Sequence, residues 1–453
     1  MTQPTDIERQ LTARLHELAP DPSWGLMDRV MASVQASPQR RQTWIPAAPS
    51  LWRIPSLIPG RLAVLLVLIA LLLALVTGSA VISALRGPDA DWRPPFASWQ
   101  PTRLPIAASQ RPAEVFPSDA VVFQGGYVAV GYAPGGDGWG NLNDVGVLWR
   151  SPGGAPWESV EDPSFAGASI FGVATDGQRL VAVGTHGSTA TGEPVLQGAA
   201  WISTDGLSWR QVRGGPTWFA GEIMFGLDRF FAEGCSGAGS GPCDIWSSAD
   251  GENWEISPAT SSSLPLALYA SDRGIVAVGG TGYRSSDMGF SLVTQDGVNW
   301  DRSTNQEQLA DMAFADVTSV DGRYLAIGQY FSSSHEIDGG SYILTSEDGL
   351  SWSRDATLAT GMWFSKVLAT PSGLIAIGSA WQTSATDGLH PQVLMASRDG
   401  TTWEAVSGAD NGPGSSGVSV AGWLVRPDGQ LLVVGSSTKD GLPVAPASWI
   451  AAP

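Results

Sequence analysis

Ser203-Thr204-Asp205-Gly206-Leu207-Ser208-Trp209 is one copy of a motif that recurs through most of the chain. An Asp-Gly step suits a tight hairpin, because glycine takes positive φ without steric cost and the aspartate carboxylate accepts backbone N–H groups of the turn. The serine two residues earlier can tie the same turn from the other strand. The tryptophan four residues later can bury its indole against a neighbouring sheet. The pattern Ser/Thr-x-Asp-Gly-x-x-Trp occurs five times, with Asp205 and Trp209, Asp250 and Trp254, Asp296 and Trp300, Asp348 and Trp352, and Asp399 and Trp403. A sixth copy, from Ser151 to Trp157, keeps the spacing but carries Gly153 in place of the aspartate. Successive tryptophans stand 45 to 52 residues apart, the length of one four-stranded propeller blade.

A second signature lies upstream of each turn, an apolar strand ending in glycine. Its seven copies run Tyr127–Gly131, Leu180–Gly184, Phe230–Gly234, Ile275–Gly279, Tyr324–Gly328, Leu374–Gly378 and Leu431–Gly435. Seven apolar strands against six turn-Trp units leave the last blade one strand short. Trp449 aligns with Trp201 and Trp246, four residues before the turn aspartate, and the sequence stops where its own aspartate would stand. Ser98-Trp99-Gln100-Pro101-Thr102, at the other end of the repeat region, resembles Ser208-Trp209-Arg210-Gln211-Val212. The expected fold is therefore all-β, a seven-bladed propeller over residues 96–453 whose last blade is completed by an N-terminal strand. Such closure removes free sheet edges.

The five Asp-Gly-x-x-Trp units resemble the Asp-box (BNR) repeat propellers over residues 96–453. That family includes sialidases, other glycan-active enzymes, sorting-receptor ectodomains and a photosystem II assembly factor, so the resemblance implies a fold and leaves the chemistry open. Sialidases of the family carry an Arg-Ile-Pro motif. Here Arg53-Ile54-Pro55 matches it, but lies outside the propeller and reads as coincidence. The three-arginine clamp and Tyr/Glu pair of a sialidase site have no counterpart at matching positions.

Leu62 to Leu85 is a 24-residue stretch without a charged side chain. At 1.5 Å rise it reaches ~36 Å, enough for a hydrocarbon core of ~30 Å. About 60 residues precede it, too many for a cleaved signal peptide, so it reads as a signal anchor. Arg40, Arg41, Arg53 and Arg61 on one side against Arg86 and Arg93 on the other favour a cytoplasmic N-terminus. The expected order is a helical segment over 1–34, a linker over 35–61, the membrane helix over 62–85, an extracytoplasmic linker over 86–95, then the propeller. Cys235 and Cys243, the two cysteines, flank a Gly/Ser loop and read as a disulfide of an oxidising compartment.

Residues 1–61 carry seven Arg and five Asp/Glu, whereas the residues beyond Arg86 carry 17 basic and 38 acidic groups, net −21. So acidic an outer domain argues against nucleic acid and anionic lipid as partners. Arginine outnumbers lysine 23 to 2, which suggests a GC-rich bacterial genome. In the N-terminal segment, Thr5-Asp6-Ile7-Glu8 is a capping box that opens a helix bearing Leu11, Leu15 and Leu18. Asp21-Pro22 starts a second helix with Leu26, Val30 and Val34 on one face. Two short amphipathic helices offer a docking face for a cytoplasmic protein, an arrangement laid out like a transmembrane anti-sigma factor. The His…Cys-x-x-Cys zinc pattern of such factors is absent from the segment.

Propeller ligands usually sit among the loops after the second and fourth strands, the end opposite the turn-Trp motifs. This makes the Asp-box aspartates structural. The candidate ligand-binding residues are those of the second-to-third-strand loops: Asp137, Trp139 and Asp144; His186 and Glu193; Arg284 and Asp287; Tyr330, His335, Glu336 and Asp338; Trp381, Asp387 and His390. Glu193, Glu336, Asp338 and Asp387 can converge from different blades as a glycosidase pair. His186, His335 and His390 lack the close spacing of a metal motif, and no glycine-rich stretch joins a strand to a helix as a phosphate loop does. The sequence assigns no metal and no cofactor. It favours a membrane-anchored propeller that binds a protein, peptide or glycan without catalysis; a glycan-active hydrolase or lyase and a transmembrane regulator are the alternatives.

Overall fold

The computed structural model describes residues 94–451, apart from 97, 108–114, 136–142, 189–194, 213–217, 236–242, 258–263, 281–288, 305–306, 311, 331–339, 361, 381–391, 407–411, 414–417 and 440–441. The expected N-terminal helices, the linker over 35–61 and the membrane segment over 62–85 lie outside the described residues. Among the described residues no helix is long and apolar enough to cross a membrane.

The described chain forms seven four-stranded antiparallel sheets. Blades 1 to 6 each take four consecutive strands, with inner strands Phe116–Phe123, Ala168–Thr175, Trp218–Gly226, Leu264–Ser271, Met312–Val320 and Met362–Thr370. Blade 7 takes its inner three strands from the C-terminus, Val418–Val425, Leu431–Lys439 and Leu442–Ala451, and its outer strand, Trp99–Arg103, from the other end of the domain. Trp99 stands opposite Ala451 and Pro101 opposite Trp449.

The apolar core is divided among the seams between blades. Each Asp-box tryptophan packs on the blade before its own: Trp254 lies with Val181 and Ala200 of blade 2, Trp300 with Phe231 and Ile245 of blade 3, and Trp352 with Val276 and Val278 of blade 4. Trp99 takes the same place for blade 7, among Ile375, Ile377 and Leu394 of blade 6. The turns follow from their chemistry. Asp205 Oδ1 accepts the amides of Leu207 and Ser208 at 2.8 Å, while Ser203 Oγ accepts the Gly206 amide at 2.9 Å. Asp250, Asp296, Asp348 and Asp399 repeat the arrangement. Gly251 shows why glycine is required: its φ is +74°, and a Cβ there would meet Val181 of the previous blade.

The inner hairpins add a second tie on this face. Arg179, Arg273 and Arg323 each donate to a backbone carbonyl in the Asp-box turn of the following blade, at Asp250, Glu347 and Asp399. Gln124 does the same to Thr204.

Closure by Trp99 is the testable element. Its side chain is 7 % exposed and fits against Gly412, where any Cβ would strike the indole. Trp99→Ala is expected to lower the unfolding free energy by about 3–5 kcal/mol, the usual range for emptying a buried tryptophan site, whereas Leu207→Ala at an exposed turn position changes it by less than about 0.5 kcal/mol. Urea denaturation of the two variants measures both.

Candidate functional site

In every blade the pairing of the inner strand with the second strand slips. Pro117 stands opposite Gly131 and Asp119 opposite Val130, so Ser118 is bulged out. Equivalent slips follow Ile170, Phe219, Pro265, Phe314, Phe364 and Val420. The glycine that ends each apolar strand now has a cause. A Cβ at Gly131, Gly184, Gly378 or Gly435 would run into the backbone oxygen of the inner-strand residue beside it, so only glycine lets the strands approach at the bulge.

The residues at the ends of the bulges form a ring around the axis: Asp119, Gly172, Ala267, Asp316, Lys366 and Gly422 just past them, and Glu222 as the last bulged residue of blade 3. The blade 3 bulge is longer, with pairing resuming only at Ile223. Because the slips lie near the glycine ends of the second strands, the ring sits toward the end where the second-to-third-strand loops emerge. The Asp-box turns lie at the other end.

The acids of this ring are tied to alternate blades. Asp119 Oδ2 accepts the Val173 amide of blade 2 at 3.0 Å, Glu222 Oε2 the Leu268 amide of blade 4 at 2.9 Å, and Asp316 Oδ2 the Val367 amide of blade 6 at 2.7 Å. Lys366 of blade 6 donates from Nζ to Glu222 Oε1 of blade 3 at 2.9 Å. These groups line an axial cavity of about 460 Å³ to which all seven blades contribute. Phe171, Tyr269 and Trp423 form aromatic parts of its wall.

Glu233, on the second strand of blade 3, also lines the cavity. It is 8 % exposed, and among the described residues its carboxyl has no hydrogen-bond partner. Beside it Cys235 and Cys243 are joined in a disulfide, with a carboxyl oxygen and both sulfurs within 4.8 Å of one another. Among the described residues this is the one grouping of three side chains of metal-ligating type. Its sulfurs bond to each other, so it offers no thiolate pair.

Burial sets the protonation of the site. It pushes Glu233 up to about 8, with the neighbouring Glu222 charge adding to the effect. Burial also raises Asp119 to about 6, against the opposing pull of the Val173 and Ala120 amides and of Lys366. Asp316 is raised well above the usual carboxylate range, again by burial. Lys366 keeps 35 % of its side chain accessible, and it lines the cavity. Burial disfavours its charge, but Glu222, Asp316 and Asp119 outweigh that and hold the ammonium above its ordinary pKa.

Of the sequence-predicted loop residues, His186, Tyr330 and Asp144 are described. His186 is half-buried, opposite Ala168 and Gln197. Tyr330 meets the ring of Tyr342 edge-on at 6.3 Å, and Arg354 covers the Tyr342 face at 4.2 Å. Neither lines the axial cavity. Asp144 is fully buried, accepting the Gly135 amide at 3.0 Å and the Ser169 hydroxyl at 2.6 Å, and so ties blade 1 to blade 2. Asp137, Trp139, Glu193, Arg284, Asp287, His335, Glu336, Asp338, Trp381, Asp387 and His390 lie outside the described residues.

Loop-based reasoning missed the cavity acids. A signal for Glu233 is present in the repeat: it stands where the other six copies have Val130, Val183, Val278, Ile327, Ile377 and Val434.

No family model and no curated protein matches this sequence. Among solved structures it is similar to YCF48 bound to a D1 peptide, at 18% identity and a TM-score of 0.49, over 80% of this chain and 96% of that one. It is similar to a Dyadobacter fermentans DSM 18053 protein of unknown function at 16% identity and a TM-score of 0.46, over 78% of this chain and 98% of that one. It is also similar to the phage phi92 endosialidase at 13% identity and a TM-score of 0.45, over 78% of this chain and 69% of that one. These likenesses concern the propeller fold alone.

The two sets of acids respond to pH in opposite senses. Hydrogen bonds hold Asp205, Asp250 and Asp348 below the ordinary carboxylate value of 3.8, so the stability they contribute is present above about pH 4 and lost on acidification. Glu233 binds its proton more tightly in the folded chain. Its contribution is complete below its ordinary value of 4.5 and lost as pH rises through about 8. Tm is therefore expected to fall by several degrees between pH 6 and 9, and to fall less in Glu233→Gln. Thermal scans of both proteins across that range check it.

Proposed function

We propose that this chain is a single-pass membrane protein, anchored through residues 62–85 with its N-terminus in the cytoplasm, whose propeller binds an organic ligand at its axis without chemical turnover. One observation carries the binding reading. Asp119, Glu222 and Asp316 each engage an oxygen with the backbone of the next blade, which makes them rigid parts of a preformed cavity wall. A cavity of this size, with convergent polar groups beside aromatic side chains, suits a small organic ligand. The membrane part rests on the uncharged run Leu62 to Leu85 and the arginines before it.

A hydrolase is the second reading, favoured by one feature. Glu233, whose pKa is raised to about 8, neighbours Glu222, which is bound to Lys366. A buried carboxyl held protonated beside a second carboxyl is the arrangement of an acid–base pair.

The full-length chain in detergent is expected to show no turnover of a panel of aryl-glycosides above a no-protein control. Turnover that disappears in Glu233→Gln would establish the hydrolase in its place. For the anchor, alkaline carbonate extraction should leave the chain in the membrane pellet, and replacing 62–85 by a polar linker should release it.

A further inference from the structure

The axial cavity is lined by four carboxyl groups, Asp119, Glu222, Glu233 and Asp316, against the single ammonium of Lys366. Its own cation is already placed, since Lys366 is bound to Glu222. That one ammonium also attracts Asp119 and Asp316, so four carboxyls share a single internal positive charge. An unpaired carboxylate in such a place is costly, and the group takes up a proton instead. Burial raises Asp119, Asp316 and Glu233 in the sense that retains protons there. Each retained proton marks a place where a cation from outside can sit.

Glu233 makes the point sharpest. It is more than nine-tenths buried, lines the cavity and has no hydrogen-bond partner among the described residues. Six sister blades fill its position with Val or Ile, so packing alone has no need of an acid.

The walls select the kind of cation. Calcium takes six to eight oxygen ligands. Here Asp119, Glu222 and Asp316 each already give an oxygen to a backbone amide, and they stand on three different blades. Phe171, Tyr269 and Trp423 contribute aromatic surface to the same cavity, and aromatic faces beside carboxylates recognise ammonium and guanidinium groups. The net charge of −21 beyond Arg86 attracts cations over a longer range.

We propose that the axial cavity is a receptor for an organic cation, a primary ammonium or a guanidinium, which enters beside Glu233 and Asp316 against the aromatic wall. The inference rests on the binding-module reading and names its ligand class. As the cation enters, a carboxyl proton leaves to solvent, so binding is coupled to proton release. The groups facing the ligand are Asp119 on the inner strand of blade 1, Glu222 and Glu233 on blade 3, Asp316 on blade 5 and Lys366 on blade 6.

Calorimetric titration of the full-length chain in detergent tests this. The probes are N-acetyl-lysine amide, N-acetyl-arginine amide and butylamine, the neutral N-acetyl-norleucine amide, the acidic N-acetyl-glutamate amide, and calcium chloride. The lysine or arginine amide should bind at least tenfold more tightly than the norleucine and glutamate amides. Affinity should rise between pH 6 and 8.5, by up to about tenfold per unit for each proton released. The binding heat should vary with the ionisation enthalpy of the buffer. Glu233→Gln, which keeps the shape and loses the charge, should weaken binding at least fivefold and reduce the proton release. Butylamine binding as well as the amides would point to a free amine, and weaker butylamine binding to a basic peptide side chain.

Equal binding of norleucine amide, competition by calcium alone, or affinity independent of pH in the wild-type chain would overturn the proposal. The wild-type pH series decides it even if the variant fails to fold. Binding of only the acidic or neutral probes would remove the cation inference and leave a binding module. Glycoside turnover would remove that reading itself.

Discussion

A carboxylate oxygen accepting the inner-strand amide of the next blade is the contact on which this ring depends. A propeller has no single core; its apolar residues are divided among the seams, and each seam must be held at both ends. At the Asp-box end the hold is an indole laid on the preceding blade and a side chain from the inner hairpin reaching the following turn. At the other end, Asp119, Glu222 and Asp316 hold blades 2, 4 and 6. In blades 2 and 7 glycine stands at this level instead: a Cβ at Gly172 would meet Gly221, and one at Gly422 would meet Asp119.

That solution has an electrostatic consequence. Holding backbone amides with aspartate and glutamate places negative charge at the axis, where water reaches it only through the cavity. Lys366 bridges from blade 6 to blade 3 and offsets part of it. Glu233 adds a further carboxyl, beside the Cys235–Cys243 disulfide. The fold and the candidate site thus share residues: the groups that fasten the blades also give the cavity its charge.

Much of the scaffold was legible in the sequence, because turn chemistry is local. Asp205 and Gly206 specify a turn whatever surrounds them, and the missing outer strand of the last blade pointed to Trp99, which pairs with Ala451. The glycine ending each apolar strand was visible, but its purpose was not, since that purpose is a bulge in a different strand. The same bulge hid the ring. Asp119, Glu222, Asp316 and Lys366 lie on strands separated by about 50 to 250 residues, and only the slipped register brings them to one level. Asp144 shows how a residue beside a loop can serve the scaffold. It is fully buried and accepts the Ser169 hydroxyl of the next blade. Glu233 was readable as an acid at a position that is otherwise Val or Ile, and residue identity at an aligned repeat position proves a better guide here than loop length.

The central claim is that the axis holds carboxyl protons where a cation is wanted. Infrared difference spectroscopy of the full-length chain, titrated between pH 6 and 9, observes the carbonyl stretch of protonated carboxyl groups directly. A protonated carboxyl band is expected at pH 7 that disappears as pH rises through about 8 and is diminished in Glu233→Gln. A chain whose carboxyl groups are all ionised at pH 7 would contradict it.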